Sequence, residues 1–168
     1  GANQLAWYDL KSQTSRHLLP QPGVSERTMP LDDAKISPDG RWVSFLRNHD
    51  LWVVSTSGGP ARQLTRDGSD TLLNGELDWV YPEELDLQTA YWWSPDSSKL
   101  AFLQLDESPV GKYPLVDELA YEGKLIEERY PIAGSPNPVA RVGVVAVGGG
   151  DWDRQVGCEH FQTAFEQN

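Results

Sequence analysis

The stretch DAKISPDGRWVSFL, residues 33–46, places a Pro-Asp-Gly turn between two strand-like runs. Pro38 presets the φ angle at the start of such a turn, and Gly40 is free to adopt a positive φ angle. Residues 51–56 and 61–65 are two further strand-like runs, and a glycine turn separates them. Hairpins joined in this way form an antiparallel sheet. The sequence therefore predicts a four-stranded antiparallel unit, of the kind that forms one blade of a β-propeller.

The same pattern recurs on both sides of that unit. Residues 5–19 resemble residues 51–65 at a spacing of 46 residues, which is usual for propeller blades. The Ser-Pro-Asp turn at 94–96 repeats the turn at 37–39 after 57 residues, and residues 141–149 repeat the third strand with its glycine turn. We therefore predict an all-β fold: a partial β-propeller of about two to three blades, each of about four antiparallel strands, with a short helical acidic insertion.

The domain organisation follows from these repeats. Residues 1–147 are predicted to be the partial propeller, with the insertion at 66–90. Residues 148–168 are predicted to be an unmatched C-terminal tail. The chain opens in mid-blade, and an open ring exposes strand edges. We therefore expect the chain to be stable only beside neighbouring blades.

The composition is acidic, and the acidic residues are concentrated in one part of the chain. The chain has 168 residues, of which 39% are hydrophobic, and this is enough for one packed domain. The net charge is −11, and residues 67–128 hold 15 of the 25 acidic residues but only three lysines and no arginine. Such a field repels phosphate backbones and anionic membrane surfaces. Nucleic acid and membranes are therefore not expected as partners.

Metal and cofactor sites are not expected either. Cys158 is the single cysteine, and together with His160 it offers only part of the set of about four ligands in a closed zinc site. The glycines at 148–150 are not followed by the Lys-Ser or Lys-Thr of a phosphate-binding loop. Ser37 and Ser94 occupy turn positions, and neither lies in a Gly-x-Ser-x-Gly elbow. No catalytic residue is therefore predicted.

The acidic insertion carries the candidate binding residues, Glu83 and Glu84. Pro82 suits the first position of a short helix, which would place both glutamates in the first turn, where the helix dipole favours negative charge. A functional interpretation competes with this structural one. Two adjacent carboxylates can accept separate hydrogen bonds from one ammonium group, at roughly 1.5–3 kcal/mol each when sheltered. That ammonium group could be the amino terminus of a peptide, and from these residues alone both interpretations stay open.

A family resemblance is carried by several short motifs. They are Asp78–Glu84, Tyr91–Asp96, Asp106–Ser108 with Val110 and Tyr113, Arg129–Pro131 with Ala133-Gly134, and Asn137-Pro138. Their order and spacing resemble the N-terminal propeller of the dipeptidyl peptidase IV family, which are serine exopeptidases of the prolyl oligopeptidase type. The resemblance covers residues 5–147.

The resemblance implies an enzyme that releases Xaa-Pro or Xaa-Ala dipeptides from peptide amino termini, with a propeller joined to an α/β-hydrolase domain. Glu83 and Glu84 match the double-glutamate motif that anchors the substrate's α-amino group in this family. The implied partners are peptide N-termini, the hydrolase domain, the remaining blades and a second copy of the full-length protein in a homodimer. The resemblance also implies a periplasmic or other extracytoplasmic location. Because the 168 residues contain no hydrolase elbow, this chain by itself is expected not to hydrolyse peptides.

Two other interpretations stay open at this point. A non-catalytic, TolB-like propeller scaffold that binds protein partners shares the Ser-Pro-Asp-Gly hairpins. It does not explain the acidic stretch from Asp78 to Glu84 that leads into Tyr91. A defective reading frame without activity would explain the unmatched tail from Gly148 onward.

Overall fold

The fold is built from short antiparallel strands and one short helix. A computed structural model describes residues 5–19, 31–117, 124–150 and 153–157. In chain order the elements are β1 (Ala6–Asp9), β2 (Thr14–His17), β3 (Asp32–Ile36), β4 (Trp42–Arg47), β5 (Asp50–Ser55), β6 (Arg62–Gln63), β7 (Leu72–Asn74), α1 (Val80–Leu85), β8 (Tyr91–Trp93), β9 (Lys99–Asp106), β10 (Lys112–Asp117), β11 (Lys124–Arg129), β12 (Val139–Ala146) and β13 (Asp153–Gly157). Within these described ranges, no helix has the length and apolar character needed to cross a membrane.

Strands β3 to β6 form a four-stranded antiparallel sheet in the order β3-β4-β5-β6. The turn between β3 and β4 closes where the sequence predicts it. The N–H of Gly40 donates to the Ser37 carbonyl at 2.9 Å, and Gly40 has a φ angle of 72°. The Ser37 hydroxyl donates to Asp39 at 2.7 Å and accepts from the Trp42 N–H at 3.0 Å. The predicted blade is therefore confirmed, and Ser37 acts as a turn residue.

The carboxylates of Asp39 and Asp96 stabilise the two equivalent turns. Asp96 accepts hydrogen bonds from the Ser94 hydroxyl at 2.6 Å and from the Ser98 N–H at 3.1 Å. Asp39 accepts the corresponding bond from Ser37. Because these bonds favour the ionised form, they lower the pKa of each carboxyl group to about 2, and the serine hydroxyl makes the largest contribution in both turns.

The second sheet runs in the order β13-β12-β9-β7, and β8 also pairs with β9. Strand β9 is eight residues long. Strand β8 pairs with its residues Leu100–Phe102, and β7 pairs with its residues Gln104–Asp106. Strand β7 comes from the acidic insertion and was not predicted, because three residues are too few to show an alternating pattern. The insertion therefore both extends the second sheet and carries the helix.

Two strand pairs lie outside these sheets. Strands β1 and β2 form a two-stranded antiparallel sheet. Strands β10 and β11 form a two-stranded ribbon, which lies between β9 and β12 along the chain. The all-β partial propeller is confirmed, and the described residues form no closed ring. The domain boundary at residue 147 stays a prediction, since residues 151–152 and 158–168 lie outside the described residues.

An apolar core fills the space between the two sheets. It comprises Leu46, Leu51, Val53 and Leu64 from the first sheet and its loops, and Tyr91, Leu100, Phe102, Val145 and Val147 from the second. Trp42 packs against this core, whereas Trp52 packs against a second core that contains Phe45. The two tryptophans are therefore packing residues, a common role of large aromatic side chains.

A buried polar contact joins the two sheets at Tyr91, whose exposed fraction is 0%. The Tyr91 hydroxyl donates to the Asp33 carbonyl and accepts from the Ser44 hydroxyl at 3.2 Å. The Ser44 hydroxyl in turn accepts from Trp93 Nε1 at 2.9 Å. Burial raises the pKa of the Tyr91 phenol, so the neutral hydroxyl group is retained at the contact. Polar groups from both sheets thus satisfy one another inside the core.

We expect Tyr91→Phe to lower the free energy of unfolding by about 1–3 kcal/mol, because the buried Ser44 hydroxyl and the partly buried Asp33 carbonyl each lose a partner. Chemical denaturation of the full-length protein measures this change. Tyr8→Phe is the matched control, since Tyr8 is 55% exposed. Its expected effect is within about 0.5 kcal/mol. Equal effects of the two substitutions would contradict the proposed role of the Tyr91 hydroxyl.

The turn carboxylates predict a pH dependence of stability. Their pKa of about 2 lies below the ordinary 3.8, so ionised Asp39 and Asp96 stabilise the folded state above about pH 4, and this contribution is lost as the pH falls towards 2. We therefore expect the double variant Asp39→Asn/Asp96→Asn to have a lower Tm than the parent protein at neutral pH. The difference should shrink on acidification to about pH 2. Thermal unfolding followed by circular dichroism checks this, and a Tm difference that does not change with pH would rule out the charge as its cause.

Candidate functional site

The two candidate residues, Glu83 and Glu84, lie on helix α1, and both are exposed. The helix begins at Val80, so the prediction that Pro82 is its first residue was wrong by two positions. Pro82 is tolerated at the third position because the first N–H groups of a helix have no intrahelical partner to lose. The helix ends at Leu85, and the next residue, Asp86, adopts a left-handed conformation with a φ angle of 52°.

Asp78 holds the start of α1. Its Oδ1 atom accepts hydrogen bonds from the N–H groups of Val80 at 3.1 Å and Tyr81 at 3.2 Å. The sequence interpretation gave Asp78 no role beyond the family motif. An aspartate just before a helix is a recognised capping signal, and this signal could have identified it.

The segment that follows α1 is tied to the first sheet. The Thr89 hydroxyl donates to Asp33 Oδ2 at 2.7 Å. Lys35 donates to the Thr89 hydroxyl and to the Tyr91 carbonyl, the latter at 2.7 Å, and forms an ion pair with Asp33 at 2.9 Å. Burial lowers the pKa of the Lys35 ammonium group, and the bond to Asp33 opposes this shift. Both ends of the α1 segment are therefore anchored by polar contacts.

Aromatic side chains from three of the motif stretches meet beside α1. The rings of Trp79 and Tyr130 pack edge to face, with centroids 4.7 Å apart and planes at 78°. The rings of Tyr113 and Tyr130 are 6.2 Å apart at 62°. Arg129 Nη1 donates to the Val110 carbonyl at 2.9 Å. The β10–β11 ribbon is thus joined to the α1 segment, a contact that no local sequence signal predicts.

Two carboxyl groups near the helix, those of Asp78 and Glu107, are buried, with exposed fractions of 7% and 8%. Burial raises the pKa of Glu107, the negative charge of Asp78 raises it further, and Arg129 opposes the shift. The pKa of Asp78 is also raised by burial, although two backbone N–H bonds oppose that shift. The surroundings of α1 are therefore negatively charged. Keeping Asp78 and Glu107 ionised there has a free-energy cost.

Glu83 and Glu84 are not neutralised from within the described part of the chain. The ion pairs found there involve other acidic residues: Asp33, Asp39, Glu76, Asp106 and Glu127. Over the same ranges, no group of three or more His, Cys, Asp or Glu side chains is arranged to hold a metal ion. Cys158 and His160 lie outside the described residues. Chemically, the helix therefore presents two adjacent hydrogen-bond acceptors that carry negative charge.

Comparison with known proteins identifies relatives in the family that the sequence motifs indicate. Residues 1–165 match the family described as "Dipeptidyl peptidase IV (DPP IV) N-terminal region". The chain is 37% identical over 117 residues to dipeptidyl aminopeptidase B of Saccharomyces cerevisiae, an alignment that covers 66% of this chain and 14% of that protein. The crystal structure of Porphyromonas gingivalis dipeptidyl peptidase 4 matches with a TM-score of 0.74 and 30% identity, covering 88% of this chain and 20% of that one.

The match extends over almost the whole chain, but the chain spans only 14% to 20% of the length of these two relatives. The family match includes the acidic stretch from Asp78 to Glu84 as well as the propeller strands. It therefore favours membership of the peptidase family over a TolB-like scaffold. The chain belongs to the dipeptidyl peptidase IV family, within the N-terminal region of those proteins.

Proposed function

We propose that this chain is the substrate-recognition part of a dipeptidyl peptidase, in which Glu83 and Glu84 bind the α-amino group of the peptide substrate. One observation carries the proposal: the two carboxylates are adjacent and exposed on a helix anchored at both ends, and no ion pair within the described ranges engages them. Adjacent charges of the same sign repel each other, and one cation that contacts both relieves this repulsion.

A peptide ammonium group suits such a pair of carboxylates. It has three N–H donors and no acceptor, as a lysine ammonium group does. Each charge-assisted bond to a carboxylate contributes about 1.5–3 kcal/mol when sheltered from water. The surrounding carboxylates add a field that attracts cations before contact. An uncharged or acetylated amino terminus lacks these contributions.

In the full-length protein we propose that this contact selects the bond to be cleaved. Holding the amino group at one place fixes how much of the peptide reaches the reacting centre, so that Xaa-Pro or Xaa-Ala dipeptides are released. Hydrolysis itself takes place in an α/β-hydrolase domain, and further blades close the propeller ring. A homodimer and an extracytoplasmic location belong to the same proposal.

The experiment uses the full-length enzyme with Glu83→Gln and Glu84→Gln. Loss of one charge-assisted bond is expected to lower kcat/KM for a dipeptidyl substrate by about 5- to 150-fold, which corresponds to about 1–3 kcal/mol. Competitive inhibition by Ala-Pro and by propionyl-Pro gives a sharper readout, because the two compounds differ only in the amine. We expect the parent enzyme to prefer Ala-Pro and both variants to lose most of this preference.

Asp86→Asn provides the control. Asp86 is an exposed carboxylate at the end of the same helix, and its left-handed backbone conformation is one that asparagine adopts readily. This variant is expected to keep the preference for Ala-Pro. If Glu83→Gln and Glu84→Gln both leave kcat/KM and the preference for the amine unchanged, the proposed function is wrong.

A further inference from the structure

Asp78 lies at the start of α1 and is buried, with an exposed fraction of 7%. One of its oxygens accepts hydrogen bonds from the N–H groups of both Val80 and Tyr81. These groups belong to the first turn of a helix, where N–H groups have no intrahelical partner. The next residue, Pro82, has no N–H group. A single carboxylate oxygen therefore satisfies two of the open donors at the start of the helix.

The helix depends on contacts at its ends because it is too short to be stable alone. It has six residues, and none of them is buried. Isolated helices shorter than about 12–15 residues are marginal in water. Trp79, at the cap position, forms no capping hydrogen bond with its side chain. The directions in which Glu83 and Glu84 point therefore depend on the bonds to Asp78 and on the anchoring of Thr89 after the helix.

The contact at Asp78 requires an acceptor rather than a charge. Burial raises the pKa of Asp78 because the ionised form loses hydration, and the backbone N–H bonds offset this only in part. A neutral side chain of the same shape accepts the same two bonds without that desolvation. Asparagine is about as effective as aspartate in capping a helix. An asparagine at this position should therefore preserve the geometry of α1.

We propose that Asp78 is a positioning residue for the peptide-amine site: by holding the first turn of α1, it orients the carboxylates of Glu83 and Glu84 towards one ammonium group. The proposal rests on the function proposed above. It adds a buried residue that does not itself touch the peptide.

The test compares three substitutions of Asp78 in the full-length enzyme. Asp78→Ala removes the acceptor, and Asp78→Glu keeps the charge but moves the carboxylate by one methylene group. Both are expected to reduce the preference for Ala-Pro over propionyl-Pro by about two- to thirtyfold, the change in affinity that corresponds to loss of a helix cap. Asp78→Asn removes the charge and keeps the acceptor, so its preference is expected to stay within about twofold of the parent. Inhibition by propionyl-Pro is expected to be the same in all four proteins.

A second measurement separates positioning from a general effect on stability. In the background Glu83→Gln/Glu84→Gln, Asp78→Ala is expected to cause no further loss of the amine preference, because its effect passes through the two glutamates. Asp86→Asn again serves as the control on the same helix. If Asp78→Ala does not fold, Asp78→Glu and Asp78→Asn still give opposite predictions.

The outcomes distinguish this inference from the function on which it rests. If the glutamate variants lose the amine preference but Asp78→Ala and Asp78→Glu keep it, the inference is wrong and the proposed function stands. Loss of the preference in Asp78→Asn together with its retention in Asp78→Glu would also overturn the inference, because charge would then be the requirement. If the glutamate variants keep the amine preference, the proposed function fails and the inference fails with it.

Discussion

A buried contact at Tyr91 fixes the two sheets against each other. The ring packs in the apolar core that both sheets share, and its hydroxyl bonds to the backbone of Asp33 and to Ser44 on the first sheet. A sheet with one apolar face must bury that face against another element. Here the polar atoms of Tyr91 also fix how the second sheet sits on the first, because a shifted arrangement would leave them buried without partners. The acidic segment between the sheets is therefore held between two fixed points.

Helix α1 is stable because of this setting rather than because of its own sequence. Its six residues are too few for an independent helix. Asp78 satisfies the donors at one end, and Thr89, bound by Lys35 and Asp33, fixes the chain beyond the other end. The edge-to-face contact of Trp79 with Tyr130 adds support from the β10–β11 ribbon. The proposed binding of one small cation by two side chains benefits from such support, since their relative position then varies little.

The carboxylates clustered around the helix have a free-energy cost of ionisation, and a bound cation would reduce it. Burial raises the pKa of both Asp78 and Glu107, and the negative charge of Asp78 raises the pKa of Glu107 further. Arg129 offsets part of this, while its guanidinium group donates to the Val110 carbonyl. Glu83 and Glu84 add two charges at the surface. The protein thus maintains a local excess of negative charge that stability alone does not favour, as is common at functional sites.

The sequence alone determined the blade pattern and the candidate residues. The Ser-Pro-Asp turns, the spacing of the strand runs and the adjacent glutamates are local signals, because turn geometry and strand alternation depend on residues close together in the chain. Strand β7 was missed because three residues show no period, and the start of α1 was misplaced because proline is allowed throughout the first turn. Only the tertiary structure brought Tyr130 to Trp79 and Lys35 to Thr89. Those contacts join residues far apart in the chain, and their geometry follows from how the two sheets pack, which no local pattern encodes.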